Sequence, residues 1–368
     1  MTRAHATDNG SPGRREAYGF ALNDGRGEAR IGGDRCFIIA EAGVNHNGSP
    51  ALAHRLIDIA ANARADAVKF QTFDPALVAT RAAARAPYQA RGDTAGPQLE
   101  MLESLALPAS AYGELQEHAR ASGLLFLSTP FDAPSADLLD ELGVAAFKVA
   151  SGELTNHPFL EYLAGKGRPL LVSTGMATLH EVEQAVEVLL AAGARHLALL
   201  HCVSSYPAAP GTCNLRAMAT LRDRFGVPTG WSDHTLGTAV TVAAVALGAE
   251  LVEKHFTVDR TLPGPDHAAS LEPAELAALV QAVRQVESAL GDGVKRPVPD
   301  ELPVAQVARR ALHASRDLPA GHCLTRDDLV ALRPAAGLSP ARLGDVVGRR
   351  LRTAVPCGSP LLEEHVGG

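Results

Sequence analysis

FKVASGEL, residues 147–154, reads as a buried β-strand that carries a lysine in its middle and ends in Ser151 and Glu153. A lysine near a strand end can keep its amine in water while its stem covers apolar surface, so Lys148 alone has a bland explanation. The same pattern recurs along the chain, and the recurrence decides the fold. Apolar runs rich in β-branched residues or leucine stand at CFIIAEAG (36–43), AVKFQTF (67–73), LLFLSTPFD (124–132) and AAFKVAS (145–151). Four more follow at LLVSTGM (170–176), LALLHCVSS (197–205), PTGWSDH (228–234) and LVEKHFT (251–257). Most of the gaps hold Ala/Leu-rich segments with helical periodicity, such as SPALAHRLIDIAANAR and TLHEVEQAVEVLLAAG. This alternation predicts the α/β class and a (β/α)₈ TIM barrel. A doubly wound open sheet competes, but it usually carries a Gly-rich phosphate turn after its first strand, and AEAGVNHNG lacks the G-x-G-x-x-G spacing.

The C-terminal strand ends of such a barrel build its active site, while the other rim mainly stabilises. The residues at those ends are polar on every strand. The first strand ends with Glu41 and then Asn45, His46 and Asn47; the second carries Lys69 and Gln71, two apart and so on one face. Ser128 and Thr129 follow on the third, Lys148, Ser151 and Glu153 on the fourth, and Ser173 and Thr174 on the fifth. The sixth gives Ser204 and Tyr206, the seventh Ser232, Asp233 and His234, the eighth Glu253 and His255. Lys69 and Lys148 among hydroxyls make a cationic pocket suited to a phosphate and a carboxylate together, and phosphoenolpyruvate carries both. His234 and His255, on adjacent strands, can meet one divalent ion and leave positions open for substrate oxygens, or be satisfied core histidines. Glu41, Glu153 and Glu253 suit proton transfer or the hydroxyls of a sugar.

Composition narrows the class. The chain has 368 residues, 46% hydrophobic and 20% charged, with net charge −7, which fits one large domain plus a small one. Mild acidity and the lack of a basic run give no footprint for nucleic acid. Cys36, Cys202, Cys213, Cys323 and Cys357 are odd in number and scattered, so neither a disulfide framework nor a zinc knuckle is expected, and a reducing cytoplasm fits. No apolar stretch approaches a membrane span. Residues 1–33, rich in Gly, Arg, Asp and Ala, are expected to form a flexible, loosely attached extension.

Taken in order, AEAGVNHNG, AVKFQTF, STPFD, FKVASGELTN, LVSTGMA, GWSDHT and EKHFT followed by GPDHAASL resemble the N-acetylneuraminate (sialic acid) synthase family, from about residue 36 to the C-terminus. APYQ (86–89) with LEMLESLALP (99–108) looks like the loop that this family carries after its second strand. The resemblance implies condensation of phosphoenolpyruvate with an N-acylated mannosamine-type sugar, with release of phosphate and a divalent metal, manganese or magnesium. It implies that His234 and His255 bind the metal. Lys69, Thr129, Lys148, Ser151, Ser173 and Ser232 would hold phosphoenolpyruvate; Gln71, Glu153, Tyr206 and Asp266 would hold the sugar. Glu41 would help handle the attacking water or a proton, while Glu253 stays a catalytic candidate on its place at the end of the eighth strand. At Ser204 some members have an asparagine that touches phosphoenolpyruvate, which leaves that contact open here.

GDGVKRPVPDELP (291–303) reads as a linker, so the divisions expected are a barrel over 34–290, a linker over 291–308 and a small domain over 309–368. The last segment is short and turn-rich and resembles the SAF, or antifreeze-like, β-clip module of the family. That resemblance implies a domain-swapped homodimer in which Arg333 reaches the N-acyl group in the partner's site. Three other readings stand beside the main one: a Schiff-base aldolase using Lys69 or Lys148, a non-catalytic sugar-binding homologue, against which the intact set of Glu41, His234 and His255 argues, and a legionaminic acid synthase acting on a 2,4-diacetamido-2,4,6-trideoxymannose-type sugar.

Overall fold

A computed structural model describes residues 19–25, 27–86, 89 and 96–367. The chain divides into two compact units, Met1–Gly291 and Asp292–Gly368. In the first, a β-hairpin of β1 (Phe20–Asn23) and β2 (Glu28–Ile31) precedes the strands β3 (Phe37–Gly43), β4 (Ala67–Thr72), β5 (Leu125–Pro130) and β6 (Phe147–Val149). Then come β7 (Leu170–Ser173), β8 (Leu197–Cys202), β9 (Thr229–Asp233) and β10 (Leu251–His255). Among the described residues β3 to β10 are parallel neighbours in chain order, and β10 closes on β3 to make an eight-stranded barrel. The eight runs read from the sequence are these eight strands.

Alternation along each strand builds two cores. Outward residues such as Phe70, Phe126, Phe147 and Trp231 pack under the helices. Inward residues of the lower half, among them Phe37, Ile39, Leu127, Leu171 and Leu200, fill the interior. The helices start where side chains can hold their free N–H groups: Ser49 opens Pro50–Asn62, Asp132 opens Ala133–Glu141, and Thr178 with Glu181 forms a capping box on Leu179–Ala191. Among the described residues no helix is long and apolar enough to cross a membrane.

The hairpin strands Phe20–Asn23 and Glu28–Ile31 correct the expectation of a loose arm. Phe20, Leu22 and Ile31 are buried with the barrel's inner apolar layer, so the hairpin belongs to that core. Each such side chain contributes roughly 1.5–3 kcal/mol when fully buried, ample reason for a short strand pair to stay docked. Residues 1–18 lie outside the described residues.

The second unit begins at Asp292, and the stretch read as a linker carries a helix, Glu301–Ala308. Its small core joins Leu312, Leu318, Leu324, Val346, Leu351, Val355 and Leu361 around β11 (Ala311–Ala314) and β12 (Leu329–Leu332), which pair antiparallel. Asp328 ties the turns together. Its carboxylate accepts from Arg316 Nη2 at 2.7 Å, His322 Nε2 at 2.8 Å and the Thr325 hydroxyl at 2.7 Å. These donors outweigh the burial penalty and hold the carboxyl well below its ordinary range.

Candidate active site

The upper half of the barrel interior is a polar layer with one side chain from each strand: Glu41, Lys69, Thr129, Lys148, Ser173, Cys202, Ser232 and Glu253. All eight line a cavity of about 690 Å³. Gln71, Ser151, Ser204, Tyr206, His234, His255 and Asp266 line it too. Thus the site residues expected from the sequence are brought together, with two exceptions. Glu153 sits in a 3₁₀ turn, Ser151–Glu153, outside the lining, and its carboxylate accepts from Asn156 Nδ2 at 2.7 Å. Arg333 is an exposed residue of the second unit.

Strand parity corrects other expectations. Ser128 and Asp233 point outward, one residue out of phase with Thr129 and with Ser232 and His234; Ser128 bonds Thr72 at 2.7 Å behind the strands. Asn45 is a brace, donating to Phe256 O at 2.7 Å and Ser270 Oγ at 2.9 Å, which ties the loop after β3 to the loop after β10. Cys202 was missed, although period-two alternation from Ala198 and Leu200 places it inward. The outer wall was missed as well: Val44, Met101, Leu102, Leu105 and Phe131 form an apolar side of the cavity, partly from the helix Gln98–Leu105. Pro87 and Tyr88 of the APYQ stretch lie outside the described residues.

Charge is concentrated in the polar layer. Lys69 Nζ lies 2.7 Å from Glu41, donates to Thr129 Oγ1 at 2.8 Å and stands 3.7 Å from Glu253. Lys148 donates to Ser173 Oγ at 2.6 Å and Val149 O at 3.0 Å, but its nearest carboxylate, Glu253, is 3.9 Å away. Burial lowers the Lys148 amine, whereas Glu253 and Glu41 outweigh burial and raise Lys69. Burial also pushes Glu41 up to about 7, with Lys69 pulling the other way. Glu253 feels the same burial, but Lys148 and Lys69 outweigh it and hold its carboxyl down at about 2. Asp266 is pushed up to about 6 by burial, against a pull from Lys69.

Glycine is required at two points around this layer. Gly43 has φ +52°, and a Cβ there would stand 3.2 Å from Glu41 Oε1 and 3.3 Å from the His255 ring. A Cβ on Gly175 would fall 2.4 Å from Ser204 Oγ and 2.8 Å from Ser151 Oγ, the hydroxyl to which Gly175 N–H donates at 2.9 Å.

The two imidazoles face each other with ring centroids 5.5 Å apart, and Tyr206 packs 4.1 Å from His234. His234 Nδ1–H donates to Val203 O at 2.7 Å, which leaves the Nε2 lone pair free of that bond. His255 Nδ1 is buried with no hydrogen-bond partner and lies 3.9 Å from Asp266 Oδ2. Burial lowers both imidazoles, His255 strongly, so they are neutral and able to ligate. This donor set fits a divalent cation that keeps oxygen ligands elsewhere. Among the described residues no group of three or more His, Cys, Asp or Glu is placed to hold a metal ion, so the protein's share would be the two imidazoles.

Residues 56–295 match the NeuB family, and residues 309–367 match the SAF domain. The chain belongs to the NeuB family. This NeuB-family chain is 45% identical over 336 residues to the N,N'-diacetyllegionaminic acid synthase of Legionella pneumophila, covering 90% of this chain and 94% of that one. It is 37% identical over 342 residues to the human N-acetylneuraminate-9-phosphate synthase, covering 91% and 94%. Among solved structures, the sialic acid synthetase of Leptospira borgpetersenii, determined in complex with citrate, matches with TM-score 0.67 and 37% identity over 78% of this chain and 95% of that one.

Proposed function

We propose that this NeuB-family synthase condenses phosphoenolpyruvate with an N-acylated mannosamine-type sugar and water to give a nonulosonic (sialic-type) acid and phosphate. The observation that carries the reading is Lys148, a buried ammonium whose nearest counter-ion is 3.9 Å away. A buried charge without a close partner is costly, and an anionic substrate supplies that partner. Lys69, Thr129, Ser151, Ser173 and Ser232 surround the same position and suit phosphate and carboxylate oxygens, with Ser204 beside them. Gln71, Tyr206 and Asp266 lie on the side where the sugar would sit.

When bound at His234 and His255, a divalent ion, manganese or magnesium, would polarise the aldehyde oxygen of the open-chain sugar as a Lewis acid. C3 of phosphoenolpyruvate attacks the aldehyde carbon, and positive charge develops at C2 within reach of the ionised Glu253. The aldehyde oxygen takes up a proton as it becomes a hydroxyl, and Glu41, poised near neutrality, takes one from the water that adds at C2, so the steps up to the tetrahedral adduct consume no net proton. The tetrahedral adduct then expels phosphate by C–O cleavage, the lysines and hydroxyls holding the leaving group. Five unpaired cysteines fit work in a reducing cytoplasm.

The apolar wall of Val44, Met101, Leu102, Leu105 and Phe131 favours a second, narrower reading. Methyl groups of a 2,4-diacetamido-2,4,6-trideoxymannose-type sugar would pack on that wall, whose five side chains offer the C6 hydroxyl of N-acetylmannosamine no hydrogen-bond partner. Phosphate release from phosphoenolpyruvate should depend on added sugar, stop with chelator and return with manganese or magnesium. The trideoxy sugar should lead in kcat/KM by about tenfold, the scale of one apolar-pocket contact. Equal kcat/KM would remove the narrower reading. Release that persists in chelator would contradict the metal's part in the reaction, and inactivation by borohydride with a carbonyl substrate would point to the Schiff-base alternative.

The SAF unit, with exposed Arg333, is proposed to complete the site of a second copy in a homodimer. If so, mixing inactive His234→Ala and Arg333→Ala chains under subunit exchange should restore about a quarter of wild-type activity, because half of randomly paired dimers are mixed and each holds one good site of two. Absence of recovery after proven exchange would contradict the swap.

A further inference from the structure

β9 and β10 each bring one imidazole to the inner mouth, His234 directly after β9 and His255 at the end of β10, and each imidazole follows a charged residue on the outer face: Asp233 before His234, Lys254 before His255. The two charges are register partners. Both are 1% exposed, in the layer between strands and helices that is otherwise lined by residues such as Trp231 and Val252. Lys254 Nζ is 2.9 Å from Asp233 Oδ2. The pair also seizes the peptide that follows His234. Thr235 N–H donates to Asp233 Oδ1 at 2.8 Å, and Thr235 O accepts from Lys254 Nζ. On the helix Ala239–Ala246, Thr241 Oγ1 donates to Asp233 Oδ2. Ala208 N–H donates to His234 O at 2.8 Å, so the loop that carries Tyr206 is fastened to the same turn.

Stability does not explain this arrangement. Replacing a buried ion pair with apolar residues is often neutral or stabilising, because the desolvation of two charges offsets their attraction. What an apolar pair lacks is direction. Here the directed bonds run from the residue before His255 to the residues on both sides of His234, and therefore fix the separation and pitch of the two rings. We infer that Lys254 and Asp233 are positioning residues for the imidazole pair. They touch neither substrate nor metal, and act by clamping the turn that presents His234 onto the strand that presents His255. The inference rests on the reading of His234 and His255 as metal ligands.

The test is the double variant Lys254→Met/Asp233→Asn, which removes the ion pair without leaving an unpaired buried charge and keeps an amide oxygen for Thr235 N–H. Metal-free wild type and variant are titrated with manganese, with free ion read from its paramagnetic resonance, and both are melted. The variant is expected to melt within a few degrees of wild type, yet to bind manganese weaker by on the order of tenfold, the lower end of what supporting residues of metal ligands contribute. At saturating manganese its KM for phosphoenolpyruvate should stay within about threefold of wild type, since Lys148 and Ser173 stand on other strands. Wild-type manganese affinity in the folded variant would overturn the positioning role and leave the metal reading standing. A wild-type chain that takes up no manganese would remove the metal reading, and this inference with it. Should the double variant fail to fold, Thr241→Val, which removes one donor to Asp233, replaces it: weaker manganese binding at unchanged melting temperature supports the clamp, and unchanged binding overturns it.

Discussion

Replacing Lys148 with methionine is expected to raise the KM for phosphoenolpyruvate by about 30-fold or more, since truncating one partner of a buried charge pair costs roughly 2–5 kcal/mol. The loss should fall on phosphoenolpyruvate and not on the sugar, because Lys148 and its partner Ser173 lie deep in the polar layer while the sugar-side groups lie nearer its mouth. Methionine keeps most of the volume and brings no charge, so the barrel is expected to stay folded. It also deprives Glu253 of one of the two ammonium groups, Lys148 and Lys69, that hold its carboxyl down, so Glu253 should bind a proton more easily. An unchanged KM in the folded variant would contradict the placement of the anion.

Glu41→Gln is expected to act differently. It should lower kcat by about 10²–10⁴-fold, the usual contribution of a positioned acid or base, with the KM for phosphoenolpyruvate changed little. The wild-type rate should fall as pH drops through about 7, because burial raises the Glu41 carboxyl there and its protonated form cannot take a proton from water. In the glutamine variant that acid limb should be absent. A variant that keeps both wild-type kcat and the acid limb would assign proton transfer to another group, Asp266 first, whose carboxyl burial raises to about 6.

The barrel was legible because period-two strands and period-3.6 helices alternate along the chain with few interruptions. The polar ring was legible for a related reason: Lys69, Lys148, Glu253 and the two histidines are groups an apolar strand has no packing reason to carry. Parity was harder. Near a strand end the sequence WSDH offers three polar residues in a row, and only the register with β10 shows that Ser232 and His234 face in while Asp233 faces out. The hairpin of β1 and β2 escaped notice because its strands are four residues each, and the alternation of Phe20 and Leu22 on β1 is too short to stand out from the surrounding sequence. Met101 and Leu105 stand in a stretch read only as the loop after the second strand; that stretch forms the helix Gln98–Leu105, whose i,i+4 face they share, and it is this helix that brings them to the cavity. Glu153 was expected inside, but the 3₁₀ turn after β6 directs it to Asn156.

The most direct measurement uses phosphoenolpyruvate labelled with ¹⁸O at the oxygen bridging C2 and phosphorus. In the presence of the acceptor sugar and a divalent ion, one phosphate should be released per acid formed, and that phosphate should carry the label, as C–O cleavage after water addition at C2 requires. Label retained in the sugar acid, or acid formed without release of phosphate, would contradict the reaction assigned to this site.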